Sequence, residues 1–557
     1  MKRNIWISTV IVVTVFVCCP TLVWAQGKHQ HDQSGEIGQV NFPVSCNPKA
    51  REQFNRAVAW LHSFEYEDAE KVFTTVTVAD PKCAMGYWGV AMSNYHPLWA
   101  PPSNAELKKG RDALEKAKAL EAPTEREKDY IDAATAFFKD FEKVDHRTRA
   151  AAYGEAMEKV YLKHPSDREA GIFYALTLIA KGMSAGDKSY PNEKKAAEIL
   201  NGVLQHEPQH PGVTHYLIHG FDYPALAYLA LPAARSYAKI APASAHARHM
   251  PSHIFTRMGM WEEAINSNLG ARDAARAYAM RNKMPGSWDE ELHAMDYLAY
   301  AYLQSAQDNK AREVLEDLYK IRKAEPQNFK IAYSFTAIPA RYALERQQWS
   351  EAVKLPLQPG TMEAFPWPEF RWAEAHIRFA RAIGAARTGN VSTAREEIEQ
   401  LGLIQQTLAD KGGYDWAKQV NIARQVASAW LAQADGKNEE STKLMRSAAD
   451  LDDATEKHPV TPGSILPARE QLGFLLLELK RPAEALVEFE KSLVSAPNRF
   501  NGVYGAARAS AQAGDESKAR NYFTRLLELA KAGDRTRPEL EEARTFLSRA
   551  NKSAAKQ

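Results

Sequence analysis

The sequence predicts an all-α fold made of stacked helix pairs. From Cys46 onward, apolar residues recur at helical spacing and strand signals are scarce. A small residue, an aromatic and a proline also return in fixed order. They appear as Ala69, Phe73 and Pro81 near the start and as Ala485, Phe489 and Pro497 near the end. Of the 557 residues, 45% are hydrophobic and 25% charged, which suits a globular chain and excludes a disordered or collagen-like one. Lys plus Arg number 71 against 69 for Asp plus Glu, so the balance gives no general reason to expect a nucleic-acid partner.

Residues 1–25 read as a secretory signal peptide. Lys2 and Arg3 open it, an apolar run follows from Ile5 to Val17, and Val23-Trp24-Ala25 resembles a small-residue cleavage site. The run is short for a membrane-spanning helix, and no later stretch reaches about 18 apolar residues, so no transmembrane segment is expected after cleavage. Bulky residues before Cys18 and Cys19 disfavour a lipoprotein anchor. The leader looks bacterial, and the expected compartment is the periplasm. Export leaves Cys46 and Cys83 as a pair, which predicts one disulfide, with two inert buried thiols as the alternative. Residues 26–44 are polar, carry His29 and His31, and read as a flexible lead-in.

The repeat is first clear between Tyr66 and Pro81. Ala519 and Phe523 lie 34 residues after Ala485 and Phe489, and Gly473 precedes Ala485 by 12. Ala196 with Pro208, Ala230 with Pro242, and Gly259-Met260-Trp261 ahead of Ala264 keep the same register in the middle.

These residues resemble the tetratricopeptide repeat, a helix–turn–helix of about 34 residues. Small residues let two helices touch, the aromatic fills the gap between them, and the proline stops the second helix. The resemblance covers most of residues 46–530, with insertions near 98–130, 184–192, 274–289 and 355–370. It implies a right-handed superhelix with a concave inner face. The expected division is an N-terminal array over 45–330, a C-terminal array over 331–550 and a solvated tail over 551–557.

The 16 histidines follow the repeat. His62 and His96, His215 and His249, and His219 and His253 are each 34 residues apart. Residues four apart share a helix face, so His215 with His219 and His249 with His253 form matching pairs on neighbouring repeats. Counted back from Ala230 and Ala264, the histidines at 215, 219, 246, 249 and 253 fall at second, fifth or ninth positions. His62 and His96 fall at the thirteenth. Counted from Ala311, His293 and Asp296 take the second and fifth positions, and His376 takes the second of a later repeat. In tetratricopeptide proteins such positions line the concave groove.

Imidazole suits zinc, copper and iron, and an i, i+4 histidine pair is a helical half-site. The expected metal set is His215, His219, His249 and His253. His246, His293 and Asp296 are further ligands or groups that orient the rings. His62, His96, Asp222 and Arg257 are secondary groove candidates.

Two motifs match catalytic strings out of context. His206-Glu207-Pro208-Gln209-His210 fits H-E-x-x-H, but Pro208 and Pro211 prevent the continuous helix that chemistry needs. Gly182-Met183-Ser184-Ala185-Gly186 fits G-x-S-x-G without the strand a nucleophile elbow requires. The proline-rich stretches 94–102 and 458–467 read as stiff loops, the first next to His96 and the second carrying His458.

The expected function is a periplasmic binding scaffold holding a transition metal in a histidine-lined groove. Binding should then weaken below about pH 6 as imidazoles protonate. One rival is a metal-free scaffold that binds a protein or peptide along the groove. Another is a metal-dependent enzyme with Asp296 or Asp222 as general base.

Overall fold

The computed structural model describes residues 36–98, 101–358, 362, 364–409, 414–534 and 536–554. Stacked antiparallel helix pairs dominate. They begin with Pro48–His62 and Tyr66–Ala79, and end with Phe500–Gln512 and Glu516–Leu529, capped by Pro538–Ala554. The strands among the described residues are two short parallel pieces, Ser287–Trp288 and Ala324–Glu325. No described helix is long and apolar enough to cross a membrane.

The tetratricopeptide packing is visible in individual contacts. Ala69, Ala264, Ala311, Ala485 and Ala519 are fully buried where paired helices meet. Five residues before each, at Phe64, Gly259, Ala306, Lys480 and Gly514, the turn between the helices takes a left-handed conformation. The Phe489 ring sits between Gly473 and Gly505, where an added Cβ would come within 2.7 and 2.2 Å of it. Phe73 blocks a side chain at Gly89 in the same way. The chain is an all-α tetratricopeptide-type solenoid.

Several segments depart from the sequence expectation. The signal-peptide residues, with His29 and His31, lie outside the described residues. The end of the expected flexible lead-in is packed instead: Ile37 and Phe42 are 1% exposed. Gln39 N–H donates to Gln209 O, and Phe42 N–H to the Asn55 side chain. Ile37, Phe42 and Val44 are buried and Val40 packs beside them, so the apolar residues at the end of this stretch anchor it. The insertion expected near 98–130 contains an ordinary helix, Asn104–Ala119, and the start of another, Glu125–Phe138. Part of the expected tail, 551–554, continues the last helix, and 555–557 lie outside the described residues. Cys46 and Cys83 form the expected disulfide, closing the first helix pair.

The solenoid folds back on itself. Trp261 Nε1–H donates to Asn498 O at 2.7 Å. The buried Arg499 guanidinium joins Tyr300, Glu345 and Glu470. Arg341 donates to Gly463 O at 2.6 Å, tying down the segment 455–467. That segment packs on these helices as a strap: His458 stacks on Phe329 with ring centroids 4.3 Å apart, and Lys457 pairs with Asp222 at 3.1 Å.

Candidate metal centre

The histidines gather on four short helical stretches. His215 and His219 ride Pro211–Gly220, His246 and His249 ride Ala245–His249, His253 lies on Pro251–Arg257, and His293 on Asp289–Gln304. Pro211 and Pro251 each start a helix where their missing N–H leaves no broken bond. All six histidines are at most 6% exposed. Burial pushes their pKa values down, that of His215 to about 3, so the rings are neutral at neutral pH.

They form two triads, His215–His219–His246 and His249–His253–His293, with the nitrogens of each within 4.8 Å of one another. This corrects the grouping expected from the sequence, in which the two i, i+4 pairs shared one site. Each pair instead recruits a histidine from the next repeat. The rule is the same both times: fifth and ninth positions of one repeat, second position of the next. The corresponding place in the earlier repeat is Gly212, where a Cβ would lie 2.8 Å from the His62 ring.

Nitrogen geometry distinguishes these clusters from ordinary buried histidines. His249 Nε2 and His253 Nε2 lie 3.0 Å apart. His249 Nδ1–H donates to Asn268 Oδ1 at 2.7 Å. The Asn268 amide cannot be flipped, because its Nδ2 donates to Ala264 O at 2.7 Å. His253 Nδ1–H donates to Asp222 Oδ2 at 2.9 Å. Burial alone would raise the Asp222 pKa, but Lys457, Arg257 and His253 hold it well below the usual range, so it accepts as a carboxylate. Both protons therefore sit on Nδ1, and two bare lone pairs face each other. The Tyr297 hydroxyl, 3.3 Å from His253 Nε2, can donate to one of them. Tetrahedral zinc–nitrogen bonds of about 2.0–2.1 Å would place neighbouring nitrogens roughly 3.3 Å apart, close to what is seen.

The first triad has related geometry. His215 Nδ1–H donates to His62 O at 2.6 Å, so its Nε2 is bare. His219 Nε2 and His246 Nε2 approach it at 3.0 and 3.1 Å.

A third cluster, His62–Glu169–His210, answers to a different logic. His62 Nε2–H and His210 Nε2–H donate to the two Glu169 oxygens at 2.9 and 3.0 Å. Tyr216 O–H donates to His62 Nδ1 at 2.9 Å. Each ring N–H here meets a carboxylate oxygen, His210 Nδ1 is left without a partner among the described residues, and the His62 carbonyl accepts from His215.

Other expected ligands stand elsewhere. Asp296 is not with the histidines; it is buried against Arg341 at 2.5 Å, because a lone carboxylate in this core needs a cation. His96 joins none of the three histidine clusters, and its ring packs on Tyr66 at 4.6 Å. The Arg257 guanidinium donates to both the carboxylate and the backbone carbonyl of Asp222 and so supports the ring beyond it. His376 and His458 line a separate aromatic cavity of about 70 Å³ with Tyr333, Trp372, Tyr414 and Trp416. The H-E-x-x-H string falls between helices Pro191–Leu204 and Pro211–Gly220, as its prolines require. Ser184 donates to Ala180 O near the end of a helix and forms no elbow.

The sequence argument missed Asn268, Tyr297, Glu169, His210 and Lys457. Of these only Tyr297 carried a usable signal, lying four residues after His293 on the same helix face.

No protein-family profile matches the chain, and no curated protein does. Solved structures with distant likeness include Naa15/Naa10 bound to HypK-THB, at 12% identity and TM-score 0.23, covering 92% of this chain and 75% of that one. Yeast Tom70 gives 13% identity and TM-score 0.32, covering 91% and 96%. The human IFIT1 dimer with m7Gppp-AAAA gives 12% and 0.35, covering 85% and 95%. The packing of helix pairs around Phe73 and Phe489 is tetratricopeptide-like in its own right.

Proposed function

We propose that this protein is an exported tetratricopeptide scaffold that binds a transition metal through its buried histidine triads. The observation that carries this is the 3.0 Å approach of His249 Nε2 and His253 Nε2, with both Nδ1 protons committed elsewhere. Facing lone pairs repel unless a cation lies between them, and neutral imidazole donates well to copper, zinc and iron. Asn268, Asp222 and the His62 carbonyl orient the rings, as partners of metal-bound histidines do. The Cys46–Cys83 disulfide and the leader-like residues 1–25 support an oxidising, exported location. A peptide laid along these histidines is disfavoured, because all six are at most 6% exposed and Lys457 already occupies Asp222.

The test is elemental analysis of untagged protein beside a His215→Ala/His249→Ala variant, with circular dichroism to confirm folding. Copper, zinc or iron at one equivalent or more in the parent, and its loss in the variant, is expected. A metal-free parent after reconstitution and dialysis would end this reading.

A further inference from the structure

Metal binding alone leaves open whether the triads act separately, and their spacing speaks to that. Within the triads, the longest ring-to-ring separations are 6.2 Å for His219–His246 and 6.4 Å for His253–His293. Between the triads, His219–His253 are 6.4 Å apart and His246–His249 are 6.5 Å apart. Rings of neighbouring sites thus come about as close to each other as the farthest rings within one site.

The donor set narrows the metal. Each triad offers three imidazoles, with no thiolate and no carboxylate among the ligating groups. The nearest anion, Asp222, is already matched by Arg257 and Lys457. Two dications this close, with neutral ligands and out of water, would repel each other about four times as strongly as two monocations. Among the ions that imidazole favours, copper is the one with a stable monovalent state, and three neutral nitrogens can satisfy it.

We propose that the two triads form a single dinuclear centre that takes a pair of copper ions, bound in the monovalent state. This rests on the metal-binding reading above and adds stoichiometry, identity and coupling to it. The repeat architecture explains how such a pair arises. Copying one repeat with its second, fifth and ninth positions copies the site and sets the copy beside the original.

The experiment uses the full-length metal-free protein, loaded anaerobically with copper(I) alone. Copper per chain is measured by elemental analysis. One equivalent of ferricyanide per copper then takes one electron from each copper(I), giving copper(II) and ferrocyanide, and the electron paramagnetic resonance spectrum is recorded. Two coppers per chain are expected, with a spectrum split by the dipolar interaction of two neighbouring spins and a half-field signal. Removing either triad, by His215→Gln/His219→Gln or by His249→Gln/His253→Gln, should leave one copper with one full, uncoupled spin. Melting curves establish that each variant is folded, and His246→Gln and His293→Gln serve where a double variant is not. Two uncoupled spins in the parent would overturn the pair. One copper per chain, lost with only one of the triads, would also overturn it while leaving the metal-binding reading intact. A parent that binds no copper(I) but fills with zinc would overturn the copper assignment alone. A parent that takes no metal would end both readings.

Discussion

Lys457 Nζ lies 3.1 Å from Asp222 Oδ2, and the same oxygen accepts the Nδ1–H of His253. A residue on the strap and a histidine of the second triad therefore share one carboxylate oxygen. The strap is thereby wired to that ring.

This wiring predicts kinetic control of the site. In Lys457→Met the strap loses its ion pair, while all six histidines stay in place. Metal content should be unchanged, but extraction by excess chelator should be at least about tenfold faster, an effect on the order of 1.4 kcal/mol in the barrier. Stopped-flow loss of metal to a coloured chelator measures it. Equal rates in parent and variant would mean that some other segment opens first.

Asn268 fixes the His249 tautomer, since its oxygen faces Nδ1 and its nitrogen is held by Ala264 O. Asn268→Leu keeps a similar volume but removes the acceptor. Metal affinity should fall about 10–100-fold, the usual effect of losing an outer-shell partner. Competition with a chelator of known affinity reads the change. An unaltered constant would show that the ring is oriented by packing alone.

Glu65 gives a stability effect that does not depend on metal. It is 5% exposed, accepts from Ser244 Oγ at 2.6 Å, and burial pushes its pKa up to about 8. A raised folded-state value means that the folded protein holds a proton that the unfolded chain gives up above about pH 4.5. Its contribution is then most favourable below that pH and is lost as pH rises through 8. Glu65→Gln should therefore leave stability at pH 4 nearly unchanged and raise it by a few kcal/mol at pH 9, at roughly 1.4 kcal/mol per pKa unit. Denaturant titrations of the metal-free protein at both pH values provide the comparison.

The repeat and its histidine register were legible because both depend on spacing along the chain. Ala69, Phe73 and Pro81 recur in sequence because the contact between paired helices recurs in space. His215 with His219, and His249 with His253, could be placed on shared faces for the same reason. The recruitment of His246 and His293 as third ligands depends on the offset between neighbouring repeats, which no single helix encodes. Asp296 held a groove position by count, yet Arg341, 45 residues away in sequence, decides its environment. The strap is the extreme case, with Lys457 and Asp222 separated by 235 residues. Local periodicity carries no information about where a solenoid will close on itself.

Each triad draws two histidines from one repeat and one from the next, and this has a mechanical consequence. Solenoids of this kind are springs, whose pitch changes when neighbouring turns slide. An ion bound across such a boundary would act as a rivet between turns. The filled protein would be stiffest across the two repeat boundaries that the ions span, and sliding of neighbouring turns there would require the metal to leave first.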